Sequence, residues 1–111
     1  MELLRPARRL FRWVRSRKSD RRALLLDCLP QGGHCAEIGV WKGDFSQMIL
    51  DRIEPERLYL IDPWEYQAEF SEMWYGGAQA ESQQDMDVIC EKVRARLGSH
   101  PNVQLIREYS T

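Results

Sequence analysis

Near the amino end, apolar residues fall at Leu3, Leu4, Ala7, Leu10, Phe11 and Val14. Spacings of three and four put them on one face of a helix, with Arg5, Arg8, Arg9, Arg12 and Arg15 around the rest. Pro6 is tolerated in a first turn. Ser19 and Asp20 are N-cap types, predicting a second short helix through Leu24, Leu25, Leu26 and Leu29. Pro30-Gln31-Gly32-Gly33 stops it. The period then changes. His34-Cys35-Ala36-Glu37-Ile38-Gly39-Val40 is a short apolar run ending at glycine, the pattern of a buried strand.

Phe45, Met48, Ile49 and Arg52 return to helical spacing, so a helix is expected from near Gly43-Asp44 to about Arg52, with Pro55 beyond it. Arg57-Leu58-Tyr59-Leu60-Ile61-Asp62 is a second strand bounded by Pro63. A polar and aromatic stretch follows, Trp64 to about Ser82, either a lid over a ligand or a loop packing its rings on the sheet. Met86, Ile89, Cys90, Val93 and Leu97 mark a third helix of this part, with Gly98 as its C-cap, and Val103-Gln104-Leu105-Ile106 is the last strand. Strands alternating with helices imply parallel pairing. The expected fold is α/β, a Rossmann-like parallel three-stranded sheet in the order 3-2-1 with flanking helices.

Composition adds a division. The chain has 111 residues and a formal net charge of −1, with 43% apolar and 30% charged residues, as in an ordinary globular domain. Residues 1–22 carry +7 and residues 23–111 carry −8. We therefore divide the chain into a basic amphipathic N-terminal helix, residues 1–19, and one domain, residues 20–111. The basic helix can touch an anionic membrane surface, or dock its apolar stripe on the domain. Nucleic acid is disfavoured as a partner, because aromatics do not alternate with the charges. No apolar run approaches the roughly 20 residues that span a bilayer, and no uninterrupted h-region marks a secretory signal. Cys28, Cys35 and Cys90 are odd in number and lack C-x-x-C spacing, so they read as thiols of a reducing, cytoplasmic compartment. His34 and His100 are isolated and support neither a metal nor a catalytic role.

The chemistry concentrates where the first strand meets the first helix of the sheet. Ligands of doubly wound sheets bind at the carboxyl ends of strands, where Gly39 and Gly43 let backbone approach them. Nineteen residues after Gly43 the second strand ends in Asp62, placed to accept hydrogen bonds from ribose hydroxyls. The glycines are spaced G-x-x-x-G, not G-x-G-x-x-G. Trp41 would crowd a phosphate, and Glu37 would repel a pyrophosphate but suit an ammonium or sulfonium. These features favour S-adenosylmethionine over NAD.

The runs Cys35-Ala36-Glu37-Ile38-Gly39-Val40-Trp41-Lys42-Gly43-Asp44-Phe45-Ser46 and Leu58-Tyr59-Leu60-Ile61-Asp62-Pro63-Trp64 resemble the class I S-adenosylmethionine-dependent methyltransferases. They are most similar to the subgroup with a first motif E-I-G-V-aromatic-x-G-x-F-S and a second strand ending in I-D-x-W. The resemblance covers roughly residues 20–111. It implies that Glu37 lies near the methionine amino group, that Gly39 and Gly43 form the cofactor turn, and that Asp62 binds the ribose. It also implies that the backbone of Val40 and Trp41 lines the cofactor and that Pro63 and Trp64 flank the adenosine. The Trp41 ring either meets the sulfonium or packs on the neighbouring helix. Ser110 follows the third strand, where the family places residues near the adenine.

A full sheet of that family has seven strands, so the expectation is the N-terminal half of such a fold, without the segment that carries acceptor- or metal-binding residues. No catalytic residue is assigned. The expected function is cofactor binding in a methyltransferase acting on a small-molecule acceptor. The alternatives are a non-catalytic module that self-associates or recruits a partner at the open sheet edge, and an NAD-binding fragment.

Overall fold

The computed structural model describes residues 17–111. Most of the basic amphipathic segment lies outside the described residues. Helix α1, Arg17–Asp27, already contains Ser19 and Asp20, so these residues sit within the helix and do not start it. Ala23 and Leu26 are its buried contacts, whereas Leu24, Leu25 and Leu29 face outward. An Arg52–Asp27 ion pair at 3.0 Å ties its end to the next helix. At such partial exposure the pair contributes about 1 kcal/mol or less.

Strand β1 is His34–Ile38, helix α2 Asp44–Ile53, strand β2 Arg57–Ile61, helix α3 Gln83–Leu97 and strand β3 Val103–Ile106. The strands are parallel and ordered β1-β2-β3, the arrangement the sequence predicts. Between β2 and α3, Trp74–Ala78 forms a compact turn, kinked at Gly77 (φ 146°), inside what the sequence marks as a loop. Helix α3 starts three residues before its first apolar position, because the Ser82 hydroxyl accepts the Asp85 amide hydrogen bond at 3.1 Å.

Alternation along the strands sorts the sheet into two unlike faces. Cys35, Leu58 and Val103 share one row, and Glu37, Leu60 and Leu105 the next, on the covered face. Leu58 and Leu60 are fully buried in one cluster with Leu26 of α1, Ile49 and Ile53 of α2, and Met86, Cys90, Val93 and Leu97 of α3. The described helices α1, α2 and α3 thus cover the same face. Burying each large aliphatic there contributes about 1.5–3 kcal/mol, the main stabilising term. The opposite face carries an isoleucine row, Ile38, Ile61 and Ile106, one from each strand. Ile38 is 67% exposed, on the strand whose outer edge is unpaired among the described residues.

Candidate functional site

The carboxyl ends of β1 and β2 lie side by side, since Ile38 pairs with Ile61. Gly39 continues the ladder by donating to the Ile61 carbonyl at 2.9 Å. The chain beyond β1 then turns sharply, and Asp62 holds that turn. Its Oδ2 accepts the amide hydrogens of Val40 and Trp41, both at 2.9 Å, and its Oδ1 accepts that of Trp64 at 2.8 Å. A carboxylate offers about four lone-pair sites, so about one remains for a ligand hydroxyl. Asp62 therefore builds the turn before it can serve anything bound there.

The turn is conformationally strained. Trp41 and Trp64 both have positive φ, 58° and 43°. Such left-handed geometry costs a non-glycine residue about 1–2 kcal/mol and persists only where surroundings impose it. For Trp64 they do. Its indole is fully buried and donates to the Trp41 carbonyl at 2.9 Å. The Trp64 carbonyl accepts from Gln83 at 3.0 Å and from Arg107 at 3.1 Å.

Arg107 also donates to the Pro63 carbonyl and to Asp87, and Gln83 bonds Asp87 at 2.9 Å while accepting the Tyr66 amide hydrogen. The Arg107 guanidinium holds the Asp87 carboxyl below its ordinary range. Gln83, Asp87 and Arg107 are positioning residues that lie outside both sequence motifs. Their only sequence signals are the i,i+4 spacing of Gln83 and Asp87 on α3 and the place of Arg107 just beyond β3.

Glu37 sits on the covered face, 8% exposed, and accepts a hydrogen bond from Ser46 in the first turn of α2 at 2.5 Å. Burial pushes its carboxyl above the ordinary value, against the lowering effects of the Ser46 hydroxyl and of Arg22. Nearby Asp62 raises it further. Among the described residues no cation lies within ion-pair distance of Glu37 or Asp62. A buried carboxylate with one hydroxyl partner is a costly arrangement that a bound cation would relieve.

Gly39 and Gly43 both require the left-handed region, with φ of 86° and 84°, but they serve differently. A Cβ on Gly39 would meet open space, whereas one on Gly43 would come within 3.0 Å of Leu97 on α3. Gly39 is thus the open floor of the turn, and Gly43 is a packing position. The Trp41 ring packs against Trp74 of the aromatic loop, at 5.7 Å between centroids, and against the buried cluster to which the helices contribute. Lys42 Nζ lies 5.6 Å above it.

A groove of about 600 Å³ is bordered by Lys42 and lined by Gln79, Ile89, Lys92 and Arg96 among others. None of Glu37, Gly39 or Asp62 borders it. Its cations are partly occupied, Arg96 by Asp44 and Lys42 by Gln79. The described residues contain no cluster of His, Cys, Asp and Glu able to hold a metal ion. His34 is exposed, 3.9 Å from Glu56, and Ser110 is exposed near the carboxyl end.

Neither protein-family models, nor curated proteins, nor solved structures yield a match to this chain.

Proposed function

We propose that the chain binds S-adenosylmethionine at the carboxyl ends of β1 and β2, as the cofactor-binding part of a class I methyltransferase with a small-molecule acceptor. One observation carries the proposal. Two carboxylates, Glu37 and Asp62, end adjacent strands around an open glycine turn, and no described cation pairs with either. A pyrophosphate there would face both charges, which counts against NAD. A ligand with an ammonium, a sulfonium, a ribose and no phosphate complements them. Glu37 would face the ammonium, the last acceptor site of Asp62 a ribose hydroxyl, and the Gly39–Trp41 backbone would form the wall. Pro63 would flank the adenosine, whereas Trp64, expected beside it from the sequence, is fully buried and would instead hold the turn. When bound, the cofactor supplies an electrophilic methyl group on sulfur; these residues supply binding and orientation.

The isoleucine row, which no described helix covers, supports the finer fold assignment, the first half of a seven-stranded sheet, because such a sheet carries helices on both faces. A cytoplasmic location belongs to the same proposal, in keeping with three free thiols. No helix among the described residues is long and apolar enough to cross a membrane. The exposure of Ile38 favours a second reading, in which the β1 edge pairs with a partner chain.

Titration calorimetry with S-adenosylmethionine and with NAD tests the proposal. The expected result is saturable one-to-one heat with the former and none with the latter. Asp62→Ala should bind at least about tenfold more weakly, equivalent to about 1.4 kcal/mol, at a temperature where circular dichroism shows it folded. Equal affinity of the two proteins for S-adenosylmethionine would overturn the assignment.

A further inference from the structure

We infer that the Trp41–Trp74 pair and the loop around it form a binding site for a planar aromatic amine in its cationic form. The loop exposes unusual side chains: Phe70 is 48% exposed, and Met73 and Trp74 are each 47% exposed. Large apolar side chains exposed close together along one loop mark recognition sites in soluble proteins. This loop holds its rings in place. Gln67 donates to the Tyr75 carbonyl at 2.9 Å, Met73 to Phe70 at 2.9 Å and Ala80 to Trp74 at 2.8 Å. Gly76 is pressed so closely on the loop's own backbone that a Cβ would lie 1.9 Å from the Phe70 carbonyl oxygen. The loop is braced from within, and its rings remain half in solvent.

Position and charge narrow the occupant. Trp41 belongs both to the aromatic pair and to the turn that follows β1, so the patch adjoins the carboxyl ends of the strands. Indole faces are electron-rich and attract cations. The Trp41 ring already takes one, the Lys42 ammonium, steadied by Gln79 at 3.2 Å, which leaves the Trp74 ring for a ligand cation. Residues 64–82 contain Glu65, Glu69, Glu72 and Glu81 and no Lys, Arg or His. Glu69 and Glu72 directly precede Phe70 and Met73. A stacking surface in an acidic loop selects a flat ring carrying a positive charge and disfavours an anionic ring of the same shape. Resting on the proposed function, this site would receive the methyl acceptor.

Titrations of the full chain with tryptamine, indole-3-acetate and n-hexylamine, followed by nitrogen–proton correlation spectra, test the inference. Tryptamine should saturate and shift the Trp74 indole resonance, with indole-3-acetate and n-hexylamine each at least about tenfold weaker. Trp74→Ala should abolish tryptamine saturation. Because that variant removes a packed ring, the Glu69→Gln/Glu72→Gln double variant, which leaves every ring in place, serves beside it. It should bring tryptamine and indole-3-acetate within about threefold of each other. Equal binding of the two indoles to the unmodified chain, or unchanged tryptamine binding in Trp74→Ala, overturns the inference. Tryptamine binding without S-adenosylmethionine binding would sink the cofactor proposal and leave this site standing; the reverse pattern would remove this site alone.

Discussion

Glu37 is pulled in opposite directions by folding and by binding. Burial raises its pKa, so the folded chain holds a proton that the unfolded chain has already lost. Stability from this group is therefore greatest below the ordinary value of 4.5 and falls as pH rises toward the folded-state value; above that it stays constant. Glu37→Gln retains an oxygen for the Ser46 hydroxyl and removes the buried charge. It is expected to melt a few degrees above the unmodified chain at pH 7, with the gap closing as pH falls below 4.5, measured by thermal melts across pH. It should also bind S-adenosylmethionine about tenfold more weakly. A gap independent of pH would contradict this account of Glu37. Both Glu37 and Asp62 are legible in the sequence, because a charge at the end of an apolar run stands out. The partners of Asp62 are not legible, because they are backbone amides of Val40, Trp41 and Trp64, and a backbone donor leaves no mark on residue type.

The elements depend on contacts that periodicity shows only in part. Helix α2 starts where the sequence places it, since Gly43 and Asp44 end one period and begin another. That Gly43 also sits against Leu97, fifty-four residues later, follows only from the fold. Gly43→Ala must hold a positive φ and displace the Leu97 methyl, at a cost of about 1–2 kcal/mol for the backbone alone. Calorimetric melting should show a fall of roughly 5–10 °C for a domain of this size. The start of α3 was carried by a polar first turn, Gln83 to Asp85, which offers nothing to an apolar-spacing count; the Ser82-x-x-Asp85 pattern was the available signal.

The bracing of the second strand's exit is equally remote in sequence. Arg107 and Gln83 hold the Trp64 carbonyl, and Trp64 in turn holds Trp41. Arg107→Ala should loosen this connection. Hydrogen exchange at the Trp64 indole is expected to quicken at least about tenfold, with partial rescue by Arg107→Lys, which keeps the charge but not the fork of donors. Exchange unchanged from the unmodified chain would show that Trp64 is held without Arg107.

At the scale of the whole molecule, the layer class, the parallel pairing and the strand order were all readable, because alternation of strand and helix leaves few arrangements. The unequal covering of the two sheet faces is not. Strand residues such as Ile38 and Leu58 look alike as sequence, yet Leu58 is fully buried and Ile38 largely exposed, because the described helices α1, α2 and α3 lie on one side. Among the described residues, this apolar row lies on an open face beside an unpaired β1 edge, and both features favour association. Ile38→Lys should lower the weight-average mass at high protein concentration in sedimentation equilibrium, without a lower melting temperature. An unmodified chain that stays monomeric throughout that range would contradict any pairing through β1.

The central claim is that a cationic, phosphate-free nucleoside ligand sits where β1 and β2 end. Adding S-adenosylmethionine to the isotopically labelled chain and following backbone amides tests it most directly. The account predicts shifts concentrated at Gly39, Val40, Trp41, Asp62 and Trp64, with the groove residues Lys92 and Arg96 unmoved. Shifts centred on the groove, or no shifts at saturating ligand, would contradict it.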